Sequence, residues 1–284
     1  MEIKKVGVIG CGLMGRGIAE VCAKIGCDVI VSEINQELLD KGLASIDNSL
    51  TMAVKRGKAT EDDKTAALGL IKGTTNIENF KDRDLVIEAA VENLELKKKI
   101  FADLDKICPK HAILATNTSC LSILDVAMMT KRPDRVLGMH FFNPVPVMKG
   151  LELVQTILTD DEVLKTADNF GKSLGKTVFT AKDIPGFIVN RLFMPYMIEA
   201  IKILESGLAT KEDIDQGIML GLNYPMGPFT LADYLGLDTL YFICNSIYEE
   251  FKEPRYAPPL LLKKMVTAGL LGRKSGKGFY DYNK

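Results

Sequence analysis

The run Val6-Gly7-Val8-Ile9, the turn Gly10-Cys11-Gly12-Leu13-Met14-Gly15 and a helical spacing of apolar residues over 16–25 follow one another without a gap. A short, wholly apolar strand is one covered on both faces. A GxGxxG turn between such a strand and a helix can be read for its mechanics. Gly10 permits the tight turn, Gly12 lets the backbone approach a pyrophosphate, and Gly15 allows the helix to close on the strand. The helix N-terminus, with Leu13 and Met14 completing the loop, offers N–H groups to the anion. The next strand, 28–33, ends on Glu33. A carboxylate there can accept from both ribose hydroxyls and repels a 2′-phosphate, so NAD is expected over NADP. FAD stays compatible with the loop taken alone.

Strand patterns at 85–90, 112–116 and 136–141 alternate with helical ones at 36–58, 61–70 and 94–107, and 151–156 and 177–181 extend the series. That order predicts a doubly wound, mostly parallel sheet. From Pro185-Gly186 onward the patterns are helical, with no strand until the aromatic tail at 279–282. The expected fold is α/β: a Rossmann-like doubly wound sheet over 1–184, followed by a smaller all-helical domain over 185–284. In the second domain 187–207 is apolar round most of its circumference and reads as a central helix, which Pro195 should bend or break.

Thirty-six Lys and Arg nearly cancel 37 Asp and Glu, so no global field recruits nucleic acid or an anionic membrane, and any anion site must be local. The most apolar late stretches are interrupted by charge and do not read as membrane spans. Six cysteines show neither CxxC nor Cys/His metal spacing, which points to reduced thiols and no metal site. The chain enters its first strand within a few residues of Met1, leaving no room for a signal or transit peptide, so a cytoplasmic location is expected.

A histidine general base must be His111 or His140, the only two histidines present. His140 falls at the carboxyl end of a strand, the edge where doubly wound sheets bind ligands; His111 precedes a strand and belongs to the remote edge. A neutral imidazole suits removal of a hydroxyl proton during hydride transfer from a secondary alcohol. Glu152, beyond the turn Asn143-Pro144-Val145-Pro146-Val147, is the candidate carboxylate to orient it. Spacing alone leaves this pair balanced against a satisfied structural histidine and a solvated glutamate.

Taken together, several motifs are similar to those of the L-3-hydroxyacyl-CoA dehydrogenases, the bacterial short-chain type above all. These are residues 10–15, Glu88-Ala89-Ala90-Val91-Glu92, Thr116-Asn117-Thr118-Ser119, His140-Phe141-Phe142-Asn143-Pro144, Pro185-Gly186-Phe187-Ile188-Val189-Asn190-Arg191, Pro225-Met226-Gly227-Pro228 and the segment 272–280. The resemblance covers essentially the whole chain. It implies reversible, NAD-dependent oxidation of (S)-3-hydroxyacyl-CoA, with a four-carbon acyl chain (3-hydroxybutyryl-CoA and acetoacetyl-CoA), and a homodimer or larger assembly. It makes His140 and Glu152 the catalytic pair, puts Ser119 at the reacting oxygen and near the nicotinamide, and has Asn190 position the substrate.

The same resemblance extends cofactor contacts to Glu33, Glu92, Lys97, Ser119, Asn143 and Lys274, and CoA contacts to Ser49 and Arg56. Without it, the charged run 92–99 would be a solvated helix face and Lys274 a terminal lysine. The family usually carries lysine where this sequence has Arg56, and related short-chain enzymes another where it has Met52, so the phosphate contacts are expected to differ. Two other readings start from the same loop: a β-hydroxyacid dehydrogenase, which uses a catalytic lysine, and a crystallin-like dinucleotide-binding protein without turnover.

Overall fold

The structure is a computed structural model that describes residues 2–283. The chain divides into two compact units, Met1–Ile184 and Pro185–Lys284. The first runs β1 (Lys5–Ile9), α1 (Leu13–Lys24), β2 (Asp28–Ser32), α2 (Gln36–Lys55), α3 (Glu61–Gly69), β3 (Ile71–Thr74), β4 (Leu85–Glu88), α4 (Leu94–Ile107), β5 (Ile113–Thr116), α5 (Ile123–Ala127), β6 (Val136–Phe141), β7 (Gly150–Gln155), α6 (Asp161–Ser173) and β8 (Thr177–Lys182).

The eight strands form one sheet in the order β3-β2-β1-β4-β5-β6-β7-β8, parallel at every pair except β6 with β7. Every residue of β4, β5 and β6 is buried, because helices cover both faces of a parallel sheet and leave its strands no polar side. Strand order reverses at β1, with β2 and β3 to one side and β4 to the other. Such a switch point is where open α/β sheets take ligands, beyond the carboxyl ends of the strands.

Three elements were not expected from the sequence: β3, α5 and α6. The strand β3 is a half-polar edge piece whose place is set by pairing with β2 and by Leu39 and Leu43, which lie within about 3 Å of where a Cβ on Gly73 would stand. The antiparallel β6–β7 pair follows from its short connection, since parallel neighbours need a long crossover.

The second unit contains α7 (Val189–Glu205), α8 (Lys211–Leu222), α9 (Pro228–Leu235), α10 (Leu237–Phe251) and α11 (Leu260–Thr267). Its core joins Met194, Ile198, Ile201, Phe229, Leu240, Cys244 and Ile247. Pro195 does not break α7, which runs through it; the buried face on either side outweighs the lost hydrogen bond. That helix is not buried all round, however, for Leu192 is 74% exposed. The aromatic tail is not a strand either: it makes only isolated bridges. The Asp233 carboxylate fixes it instead, accepting from the N–H groups of Phe279 and Tyr280 and from the Tyr282 hydroxyl.

Candidate active site

Each glycine of the loop after β1 is required for a different reason. Gly10 has φ +90°, and a Cβ there would meet the Ala89 carbonyl at 2.6 Å; one on Gly15 would meet the Gly10 carbonyl at 1.8 Å. A Cβ on Gly12 would meet nothing within 4 Å, so the space above it is open. Gly12 also caps α1 without any side-chain hydrogen bond, whereas the other five α-helices of this unit are capped by Asn35, Thr60, Asn93, Ser122 and Asp160. An uncapped helix N-terminus under an open cradle fits a dinucleotide pyrophosphate.

Glu33 stands just past β2, where its carboxylate accepts from the N–H groups of Cys11 (2.8 Å) and Ile34 (2.7 Å). This ties the loop to the residue expected to receive the ribose; a carboxylate has acceptor capacity left after two such bonds. Burial, then the Glu33 charge, pushes the Cys11 thiol up to about 11, so no thiolate faces the anion cradle at neutral pH. Leu13 is exposed and Met14 packs on the core.

His140 and Glu152 are direct cross-strand partners on β6 and β7. Nδ1 lies 2.8 Å from Oε2, with Glu152 fully buried and His140 at 6% exposure. With Nδ1–H donating to the carboxylate, the imidazole lone pair is on Nε2. Asn117 at the end of β5 accepts from the Phe141 N–H, which fixes the edge beside the ring. His111 is exposed near Asp84 at the opposite edge, as expected.

After β6 the chain turns through Asn143 and Pro144, joined by a cis peptide bond. Lys176 donates from below to the carbonyls of Val145 and Met148, and burial, with the Lys24 charge, lowers its pKa. The turn rests on α1 at Gly17, where a Cβ would come within 2.9 Å of Val145. Lys176 was not anticipated from sequence, because its partners are backbone atoms that no motif displays.

The charged run 92–99 is not a wholly solvated face. Lys97 is 1% exposed and bridges Glu88 (2.7 Å) and Glu92 (3.1 Å). The other oxygen of Glu92 accepts from the Thr118 hydroxyl (2.5 Å) and the Ser119 N–H (2.9 Å). Glu92, Lys97 and Ser119 thus form one group at the carboxyl ends of β4 and β5. Glu88, which opens the motif Glu88-Ala89-Ala90-Val91-Glu92 and to which the sequence assigns no role, is the deepest member of this cluster.

A pocket of about 250 Å³ joins α1, α2 and the turn after β6; Arg16, Glu20, Asn48, Ser49 and Asn143 are among its lining residues. Ser49 and Asn143, assigned to different ligands by sequence, share it, and Arg56 is not among its lining residues. Arg56 caps the end of α2, on the stripe that also carries Ser49 and Met52. Glu20 is a buried carboxyl whose pKa is raised by burial and partly lowered again by the Ser49 hydroxyl. In the second unit, Asn190 lies in the first turn of α7, and Lys274 is paired with Asp238 at 2.5 Å.

Two family models cover nearly all of the chain: "3-hydroxyacyl-CoA dehydrogenase, NAD binding domain" over residues 5–184 and "3-hydroxyacyl-CoA dehydrogenase, C-terminal domain" over 186–282. A 3-hydroxybutyryl-CoA dehydrogenase of Mycobacterium tuberculosis is 50% identical over 282 residues, 99% of each chain. One of Clostridioides difficile is 47% identical, covering 99% of this chain and all of that one. The crystal structure of an (S)-3-hydroxybutyryl-CoA dehydrogenase from Ralstonia eutropha superposes over the full length of both chains with a TM-score of 0.95 at 46% identity.

Proposed function

The chain belongs to the 3-hydroxyacyl-CoA dehydrogenase family and is an NAD-dependent oxidoreductase, and from that premise we propose that it interconverts (S)-3-hydroxybutyryl-CoA and acetoacetyl-CoA through His140. The family sets aside the β-hydroxyacid dehydrogenase alternative. The observation that carries the reading is the His140–Glu152 pair, built into two strands at the same sheet edge as the glycine loop.

Oxidising a secondary alcohol to a ketone releases a hydride and a proton. Bound in the glycine cradle, NAD would supply the acceptor for the hydride that leaves C3. His140 Nε2 accepts the hydroxyl proton, and the Glu152 carboxylate stabilises the imidazolium and keeps the ring in one tautomer. In the reductive direction the imidazolium returns that proton. Ser119, held through its N–H by Glu92, donates to the reacting oxygen, and the Asn190 amide positions the acyl group.

The cradle formed by Gly10, Gly12, Leu13, Met14 and Gly15 receives the pyrophosphate, and Glu33 the ribose. Glu92 with Lys97, Ser119, Asn143 and Lys274 completes the cofactor contacts. Ser49 and Arg56 attract CoA, with Arg56 supplying a bidentate cation for phosphate and Met52 supplying none. Among the described residues no helix is long and apolar enough to cross a membrane; the reading places the protein in the cytoplasm as a homodimer.

The test is NADH oxidation with acetoacetyl-CoA. The wild type turns over, His140→Gln and Glu152→Gln lower kcat by roughly 10²–10⁴-fold, and Arg56→Ala raises the KM for the acyl-CoA with kcat little changed. A wild-type protein that binds NADH but never oxidises it favours the non-catalytic reading.

A further inference from the structure

Glu88 has 0% exposure and accepts three hydrogen bonds: from Lys97 Nζ at 2.7 Å, the Ala90 N–H at 2.7 Å and the Thr116 hydroxyl at 2.7 Å. Lys97 Nζ and the Ala90 N–H can only donate, and the Thr116 hydroxyl already accepts from the Thr118 N–H at 3.2 Å, which leaves its proton for Glu88, so both oxygens act as acceptors beside the ammonium. Lys97 is shared with Glu92. Two carboxylates therefore surround one ammonium, and the cluster carries an unbalanced negative charge. The next cation on α4, Lys98, is directed to Glu95 and Asp125 and does not join it.

A packing role does not call for this charge. One carboxylate is enough to pair with a buried lysine, and Glu92, half-buried, already supplies one; the fully buried Glu88 adds desolvation cost. The excess sits at the carboxyl ends of β4 and β5, one bond away from Ser119 through Glu92, at the edge to which the proposed function assigns the nicotinamide. That ring is cationic in NAD⁺ and neutral in NADH.

Resting on that cofactor reading, we propose that the Glu88–Lys97–Glu92 triad selects the oxidation state of the cofactor, its excess negative charge favouring NAD⁺ over NADH. Glu88 acts here through its charge and through Lys97, as a positioning and specificity-determining residue without contact to the ligand. Coulomb attraction in a partly buried site makes one unit charge worth a severalfold change in affinity.

The test is equilibrium binding of NAD⁺ and of NADH to the full chain at neutral pH, with no substrate present. Glu88→Gln keeps the shape and removes the charge: its amide oxygen faces Lys97 and Ala90, and the Thr116 hydroxyl turns to accept from its NH₂. The expected result is a fall in the preference for NAD⁺, the ratio of the two Kd values shifting by more than threefold and of the order of tenfold. Thr116→Val removes a hydrogen bond without removing charge, and should leave the ratio within threefold. Glu92→Gln, at a half-buried site, should shift the ratio in the same direction as Glu88→Gln and serves where the latter does not fold.

A folded Glu88→Gln protein whose ratio stays within threefold of the wild type, both affinities weakening together, overturns the inference and leaves the cofactor reading intact. A wild-type chain that binds neither form overturns both.

Discussion

Glu20 shows what a single buried carboxyl costs. Its folded pKa is raised, by burial first and against the opposing pull of Ser49. A carboxyl raised in this way contributes its full stability below its unfolded pKa, near 4.5, and loses that contribution as pH climbs through the folded value. Glu20→Gln keeps an acceptor for Ser49 and removes the charge. The variant should therefore melt higher than the wild type at pH 7–8, with the gain vanishing near pH 4; thermal melts across that range showing a gain that grows on acidification would sink the assignment. The burial of Glu20 and Glu88 could not be read from sequence, although Glu88 opens the motif Glu88-Ala89-Ala90-Val91-Glu92. Each sits in an ordinary helix or strand position, and what buries it arrives from elsewhere in the chain: α2 and the turn after β6 over Glu20, and Lys97 and Thr116 against Glu88. His140 was legible because two histidines leave little choice and the end of a strand is recognisable. That Glu152 could face it from the adjacent strand was legible in the turn between them, and the register that makes the two direct partners is what the ladder adds.

Among the elements, the loop after β1 separates stability from ligand binding in two nearby glycines. Gly12→Ala adds a methyl to open space, at φ −73°, a backbone conformation any residue adopts. It should leave the melting temperature within about 2 °C of the wild type while weakening NAD(H) binding by more than about tenfold. Gly15→Ala must push its methyl into the Gly10 carbonyl, and should lower the melting temperature by several degrees, as overpacking of about 1–3 kcal/mol does. Calorimetry with and without NADH checks both; equal melting losses in the two variants would contradict the division. The central strands and α1, α2, α3 and α4 were readable because continuous apolar runs and helical spacing are properties of the local sequence. β3 and α5 were not, since a half-polar edge strand and a five-residue helix owe their place to neighbours; α6 was legible in the Asp160 cap and the spacing of Val163, Ala167 and Phe170 but hidden among its charged residues, and the aromatic tail has the Asp233 side chain as its partner and not another strand.

On the scale of the whole molecule, the second unit has apolar residues left uncovered in the single chain: Leu192, Leu208 and Leu220 are 74, 76 and 84% exposed, and Leu222 and Tyr224 continue the series. Exposed leucines in such number are more than scattered surface positions need. The proposed homodimer, with closed symmetry, would cover them. Light scattering should return about twice the chain mass of 31.3 kDa, and Leu220→Asp should shift the protein toward the monomer; a wild-type chain that stays monomeric at micromolar concentration removes the dimer. The division into two units was visible in sequence as a change from alternating to purely helical patterns, whereas exposure on α7 was not, because an all-round apolar helix looks the same whether it faces a core or a second subunit.

His140 and Glu152 meet across a ladder between two strands, so their alignment is inherited from hydrogen-bond pairing. A substitution in the joining stretch alters one contact at a time, such as the Phe142 ring 4.7 Å from the imidazole, and leaves that ladder in place. A slip of one position in β7, by contrast, would bring Leu151 or Leu153 opposite the imidazole and silence the chemistry without changing a single letter of the sequence.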